Sequence, residues 1–322
     1  MTEMSGDAID AVAAVLRDAQ RIVTVGHIGP DGDALGSALG LAMAARSVGK
    51  DATATFGEPF AVPDQLRFLD LDALARVGDI EGDIDVLVAC DTAAPERLGS
   101  AAVLAERAKT VVVIDHHLSN GGFGDVVLVD ATAAATAQLV FQLIERLGWP
   151  LDPASATALY TGVVTDTGRF QYSSTSPETH RVASRLLEAG VAPEVVGQHV
   201  YEEAKFGYLK VAGAVLGRAE LDADRRLVWS VMTIGDLAAA GVAYLDTDGL
   251  IDVLRLAEES DVACLLKQVD DAVWKGSLRS RGRVDVAAIA AGFGGGGHHN
   301  AAGFTHRGAA EEAVARVQAA MP

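Results

Sequence analysis

The chain has 322 residues, half of them apolar, and 44 acidic against 26 basic side chains give it a formal net charge of −18. This is the composition of a globular protein rather than a disordered one, and its acidity disfavours gripping long duplex nucleic acid. Two cysteines cannot build a disulfide framework, residues 1–7 lack the basic-then-apolar pattern of a secretory leader, and no apolar run approaches a membrane span, so a cytoplasmic protein without a membrane segment is expected.

Taken in chain order, the first half alternates short apolar runs with amphipathic stretches. Helix is expected over 8–19, strand over 21–26, helix over 34–48, and strands over 52–56 and 85–90. A helix over 101–108, strands over 111–114 and 126–129, and helices over 134–147, 153–164 and 177–189 follow. Near-continuous apolar strands suit a parallel sheet covered by helices on both faces, so residues 1–192 read as an α/β domain. Residues 193–216 read as a polar helical linker. Residues 217–322 read as a smaller mixed α+β domain, with strands over 227–233 and within 262–278, a helix over 284–291, a strand near 302–305 and a last helix to 320.

Four acidic or histidine clusters follow apolar elements: His27 with Asp31 and Asp33, then Asp91, then Asp115-His116-His117, then Asp166. Three of them fall at the carboxyl ends of predicted strands, where an open α/β sheet binds its ligand. Brought together, so many carboxylates need protons or cations to offset their repulsion. Mixed Asp and His ligands suit Mn²⁺, Mg²⁺, Fe²⁺ or Zn²⁺, and there are enough for two ions sharing a carboxylate. Each piece also has a plainer use: Asp33 as the cap of the helix that follows it, Asp91 as a turn residue, the His pair as solvated or core side chains.

In the second domain Lys275, Arg279, Arg281 and Arg283 form a local reversal of sign, and alternate arginines on a strand would share one face. Arginine forks take phosphate; an exposed basic edge strand is the other reading. The run Gly294-Gly295-Gly296-Gly297 before His298 would present backbone N–H groups to an anion. Aromatic residues are 5% of the chain, enough to stack one base but not a long strand.

The sequence His27-x-x-Pro-Asp31-Gly-Asp33-Ala-Leu-Gly-Ser, together with Asp91, Asp115-His116-His117 and Asp166-Thr-Gly, resembles the motifs of the DHH phosphoesterase superfamily in their usual order. The glycine run with His298, followed by Ala301-Ala302-Gly303, resembles the DHH-associated C-terminal domain. The likeness covers nearly the whole chain and is nearest to the bifunctional oligoribonuclease and phosphoadenosine-phosphate phosphatase branch, some of whose relatives act on cyclic di-AMP. It implies that His27, Asp31 and Asp91 hold one metal and that Asp33, Asp91, His116 and Asp166 hold the other, with Asp91 bridging. Asp115 would orient a neighbour, and His117 would face the substrate and assist at the phosphoryl group or the leaving alcohol. Arg279, Gly296, Gly297 and His298 would hold the terminal phosphate or nucleotide. Two divalent ions, Mn²⁺ first and Mg²⁺ or another divalent otherwise, are implied. Substrates would be short RNA oligonucleotides, dinucleotides and pAp, and the protein would be a homodimer. The rival expectations are a manganese inorganic pyrophosphatase and a nucleotide-binding module without turnover.

Overall fold

The computed structural model describes residues 2–247 and 249–322. The chain divides into two compact units, Met1–Glu203 and Ala204–Pro322.

The first unit is built from helix α1 (Thr2–Asp18), strand β1 (Arg21–Gly26), helix α2 (Gly32–Ser47) and strands β2 (Asp51–Phe56), β3 (Ile84–Cys90), β4 (Ala108–Asp115) and β5 (Val126–Val129). Helices α3 (Thr136–Leu147), α4 (Pro153–Asp166), α5 (Pro177–Glu188) and α6 (Pro193–Gly197) complete it. The five strands are all parallel, in the order β2-β1-β3-β4-β5. The chain therefore leaves β1 toward one edge, returns, and continues from β1 toward the other. That reversal opens a crevice beyond the carboxyl ends of β1 and β3. The central strands β1 and β3 are largely apolar, apart from Arg21, Thr24 and Asp85, because both of their faces are covered.

Helix α2 is buried along almost its whole length, between the sheet and α4. Its small residues let α4 come close: a Cβ on Gly36 would sit 2.3 Å from the Ala158 carbonyl oxygen. No amphipathic stripe marks such a helix, because every side of it is covered.

The helix expected over 101–108 is not formed. Residues Pro95–Arg107 run in 3₁₀ turns broken at Gly99, whose φ is 56°, and β4 already begins at Ala108. Leu98, Ala101 and Leu104 are buried at intervals of three, the period of a 3₁₀ helix rather than an α-helix. Residues 193–216 contribute to both units: Val196 packs into the first core, while Val211 and Val215 pack into the second.

The second unit opens with α7 (Phe206–Gly217), β6 (Glu220–Asp222), β7 (Leu227–Met232), α8 (Ile234–Ala240) and α9 (Leu250–Leu254). It continues with β8 (Val262–Asp270), β9 (Val273–Ser280), α10 (Val286–Ala291), β10 (Gly296–His298), β11 (Ala301–Arg307) and α11 (Ala310–Ala320). The six strands are ordered β10-β11-β9-β8-β7-β6, with only β7 and β8 parallel. Successive residues of β8 point to opposite faces, so Cys264 and Leu266 join one core and Ala263 and Leu265 the other. Helix α8 escapes a periodicity reading because it is short, yet Thr233 and Asp236 form a capping box at its start. No helix among the described residues is long and apolar enough to cross a membrane.

Candidate metal centre

The crevice beyond β1 and β3 collects all four clusters. His27 directly follows β1. Its Nδ1 lies 3.0 Å from the Ile28 carbonyl, which can only accept, so the proton sits there and Nε2 turns toward Asp31 and Asp91 at 3.5 and 3.6 Å. Asp31, not Asp33, caps α2: its Oδ1 accepts the N–H groups of Asp33 and Ala34, and its Oδ2 faces His27. The plainer use of Asp33, as the cap of its own helix, does not occur, because the extended backbone needed at a cap is found at Asp31.

Asp33 is instead fully buried inside the first turn of α2. It accepts the N–H groups of Thr136 at 2.6 Å and Ala137 at 2.8 Å and the Ser37 hydroxyl at 3.2 Å. Burial, with the nearby Asp166 charge, pushes its carboxyl up to about 7. Asp91 follows β3 with φ of 54°, a left-handed conformation that Asp and Asn tolerate better than most residues. Its Oδ1 accepts from the Thr136 hydroxyl at 2.9 Å. Burial and the Asp33 and Asp31 charges raise its carboxyl well above the usual range.

His116 places Nδ1 against the Ala133 carbonyl at 3.3 Å and Nε2 among three carboxylates: Asp166 at 3.1 Å, Asp91 at 3.6 Å and Asp33 at 3.9 Å. Burial opposes a charge on this ring, but the Asp166 hydrogen bond and the surrounding carboxylates outweigh it and lift the imidazole to about 10. Asp166 ends α4, and the three residues Gly168, Arg169 and Phe170 after its neighbour Thr167 all have positive φ, turning the chain sharply away.

His117 donates from Nδ1 to Asp115 Oδ1 at 2.7 Å. Asp115 Oδ2 accepts from Asn120 Nδ2 at 2.6 Å, and Asn120 is itself tied to the Thr92 carbonyl and the Gly122 N–H. Burial works against ionising Asp115, but the His117 and Asn120 hydrogen bonds prevail and hold its carboxyl below the usual range.

Ligating atoms gather in three groups, each within 4.8 Å: His27, Asp31 and Asp91; Asp33, His116 and Asp166; and Asp91, His116 and His117. Asp91 and His116 each belong to two groups. The donor set suits a divalent cation: oxygen and nitrogen ligands converge, and two of the carboxylates are buried where only added positive charge would favour their ionised form. Asp33, Asp91, His116 and Asp166 all lie within this cluster, as do His27 and Asp31.

The remaining candidates lie in the second unit. Arg279 on β9 and His298 on β10 both stand opposite Ala301 on β11, so they occupy one register position across three neighbouring strands. Arg279 is half-buried, and its Nε lies 3.6 Å from Asp252. The expected arginine stripe does not form. Strand β9 stops at Ser280; Arg281 donates to the Arg255 carbonyl, and Arg283 lies 3.6 Å from Asp261. Nor do the glycines form only a loop. Gly296 and Gly297 belong to the edge strand β10, where a Cβ on Gly297 would meet the Ala301 carbonyl oxygen at 2.5 Å and where its φ is 144°.

Thr136 and Asn120 carried no signal in the sequence. Each matters through a side-chain hydrogen bond to a carboxylate of the cluster, and Thr136 makes its bond across 45 residues.

Residues 21–163 match the DHH family, N-terminal domain, and residues 234–321 match the DHHA1 domain. The chain is 35% identical over 305 residues to the bifunctional oligoribonuclease and PAP phosphatase NrnA of Thermus thermophilus, spanning 92% of this chain and 88% of that protein. It is 28% identical over 313 residues to the cyclic-di-AMP phosphodiesterase GdpP of Bacillus subtilis, spanning 89% of this chain and 45% of that protein. The crystal structure of an exopolyphosphatase-related protein from Bacteroides fragilis has a TM-score of 0.91 at 29% identity and covers 98% of this chain and 96% of its own.

Proposed function

We propose that this chain, which belongs to the DHH family and carries a DHHA1 domain in its second unit, is a phosphohydrolase that uses two divalent cations to cleave short nucleotide substrates. Its substrates on this reading are short oligoribonucleotides and the linear dinucleotide pApA, cut to mononucleotides, and pAp, dephosphorylated to AMP; cyclic di-AMP is a further candidate. The observation that carries the reading is the sharing of Asp91 and His116 between ligand groups at the carboxyl end of a parallel sheet.

His27, Asp31 and Asp91 would hold one cation, and Asp33, Asp91, His116 and Asp166 the other, with Mn²⁺ preferred over Mg²⁺. Such cations supply Lewis acidity toward phosphoryl oxygens and the leaving group. The chain's own part is to hold and orient. Asp115 accepts from the His117 Nδ1 and fixes the ring plane, so that a proton carried on Nε2 would be the one aimed at a phosphoryl oxygen or a leaving alcohol. Arg279, held by Asp252, takes the substrate's second phosphate with its planar fork, and Gly296, Gly297 and His298 contribute from edge strand β10, with β11 between it and β9. The cytoplasmic location and the homodimer implied by the family likeness belong to the same reading.

The test is product formation from pApA with Mn²⁺ and with chelator, run beside pAp, cyclic di-AMP and pyrophosphate. AMP from pApA only in the presence of metal is the expected result. Cleavage of pyrophosphate alone would mean a pyrophosphatase, and binding of all four without product would mean a nucleotide-binding module.

A further inference from the structure

We propose that Thr136 is a positioning residue of the metal centre: through two separate donors it sets the orientation of the two buried carboxylates that belong to different ligand groups. The inference rests on the two-cation reading above and adds to it a residue outside the ligand set.

Thr136 is the first residue of α3 and is fully buried. The residue before it, Ala135, has no side chain to cap the helix. The orphaned N–H groups of the first turn are taken up by Asp33, whose two oxygens accept from Thr136 and Ala137 at 2.6 and 2.8 Å. Asp33 thus caps a helix 103 residues away in sequence.

The Thr136 hydroxyl does a second job. It donates to Asp91 Oδ1 at 2.9 Å, and that same oxygen lies 3.6 Å from His116 Nε2 and 3.5 Å from His117 Nδ1. The other oxygen, Oδ2, lies 3.6 Å from His27. A carboxylate shared between two groups must present one oxygen to each, and the hydroxyl holds it in that orientation. With the hydroxyl gone, Asp91 keeps its place on the backbone but loses the donor that selects its rotamer. Hydrogen-bond partners behind metal ligands commonly matter to affinity in this way.

The experiment uses the full chain stripped of metal, with Thr136→Val to remove the hydroxyl and Thr136→Ser to keep it. Both variants retain the backbone N–H that serves Asp33. Mn²⁺ binding is read by calorimetry, and the melting temperature of each variant is read in chelator. Thr136→Val is expected to bind Mn²⁺ about 10–100-fold more weakly than wild type, and Thr136→Ser to recover most of that loss. If Thr136→Val proves too unstable to purify, Thr136→Ala, which cannot overpack the site, replaces it. Thr136→Val binding Mn²⁺ as wild type does would overturn the positioning role while leaving the two-cation reading intact. Wild type that binds no divalent cation would overturn both.

Discussion

Asp115 and His117 form a closed pair in which the imidazole Nδ1 donates to a fully buried carboxylate oxygen at 2.7 Å. Asn120 holds the opposite oxygen, so the carboxylate cannot rotate away from the ring. Asp115 is absent from all three groups of candidate ligands. Replacing it should therefore disturb the histidine without emptying the metal centre. Asp115→Asn is expected to lower kcat by about 10²–10⁴-fold, the range of a lost acid–base contribution, with Mn²⁺ affinity nearly unchanged. Calorimetry beside steady-state kinetics separates the two. A matched fall in metal affinity would assign Asp115 to the ligands instead.

Asp91→Asn tests the proposed shared ligand with little backbone disturbance. Asparagine accepts the left-handed conformation of this position as readily as aspartate, so the main change is lost charge. Turnover of pApA should be abolished if, as proposed, this carboxylate is shared by both cations. In chelator the variant should melt above wild type, since a buried carboxylate that resists ionisation has been removed. Retained activity in protein free of wild-type contamination would rule out the bridging role.

The pH dependence of the metal-free protein has a definite sign. Burial raises Asp33 to about 7 and also raises Asp91, and the surrounding carboxylates lift His116 to about 10. All three bind protons more tightly in the folded chain than in the unfolded one. Their contribution is complete below the unfolded values and is lost as pH climbs through the folded ones. Melting temperature in chelator should therefore fall steadily from pH 5 to pH 9. Added Mn²⁺ competes with those protons, so its stabilisation should grow over the same range. A metal-free protein that melts higher at pH 9 than at pH 5 would contradict the assignment.

Arg279→Ala should act on binding. A charge-assisted hydrogen bond contributes about 1.5–3 kcal/mol, so KM for pApA should rise roughly 10–150-fold. The rate at saturation should change little, because no metal ligand is touched. The paired Asp252→Ala variant, which frees the guanidinium from its neighbour at 3.6 Å, should shift KM by much less. Kinetics over a range of pApA concentrations checks both, and a fall confined to kcat would place Arg279 at the reacting phosphate.

Much of the first unit was legible residue by residue. Strands such as Arg21–Gly26 and Ile84–Cys90 are short, largely apolar runs, and a strand buried on both faces leaves that mark in any context. The 3₁₀ turns at Pro95–Arg107 were misread because a few apolar residues do not separate a period of three from one of 3.6 over so short a span. In the second unit, Gly296-Gly297-His298 gave no strand signal: glycine lacks the side chain on which such signals depend, and here it serves close backbone approach to β11.

The amino-acid sequence by itself determined the chemical inventory of the centre. Each cluster is local, set within a few residues of a strand or helix end, and its side-chain types already imply oxygen and nitrogen ligation. What only the tertiary structure decided is how those ligands are held. Asp33 caps a helix that begins 103 residues later, and Asp91 is oriented by a hydroxyl 45 residues away. Hydrogen bonds of this kind are short-ranged in space and unconstrained in sequence separation. They exist only once α2, α3 and the strand ends have packed together, so no local pattern of residues can announce them.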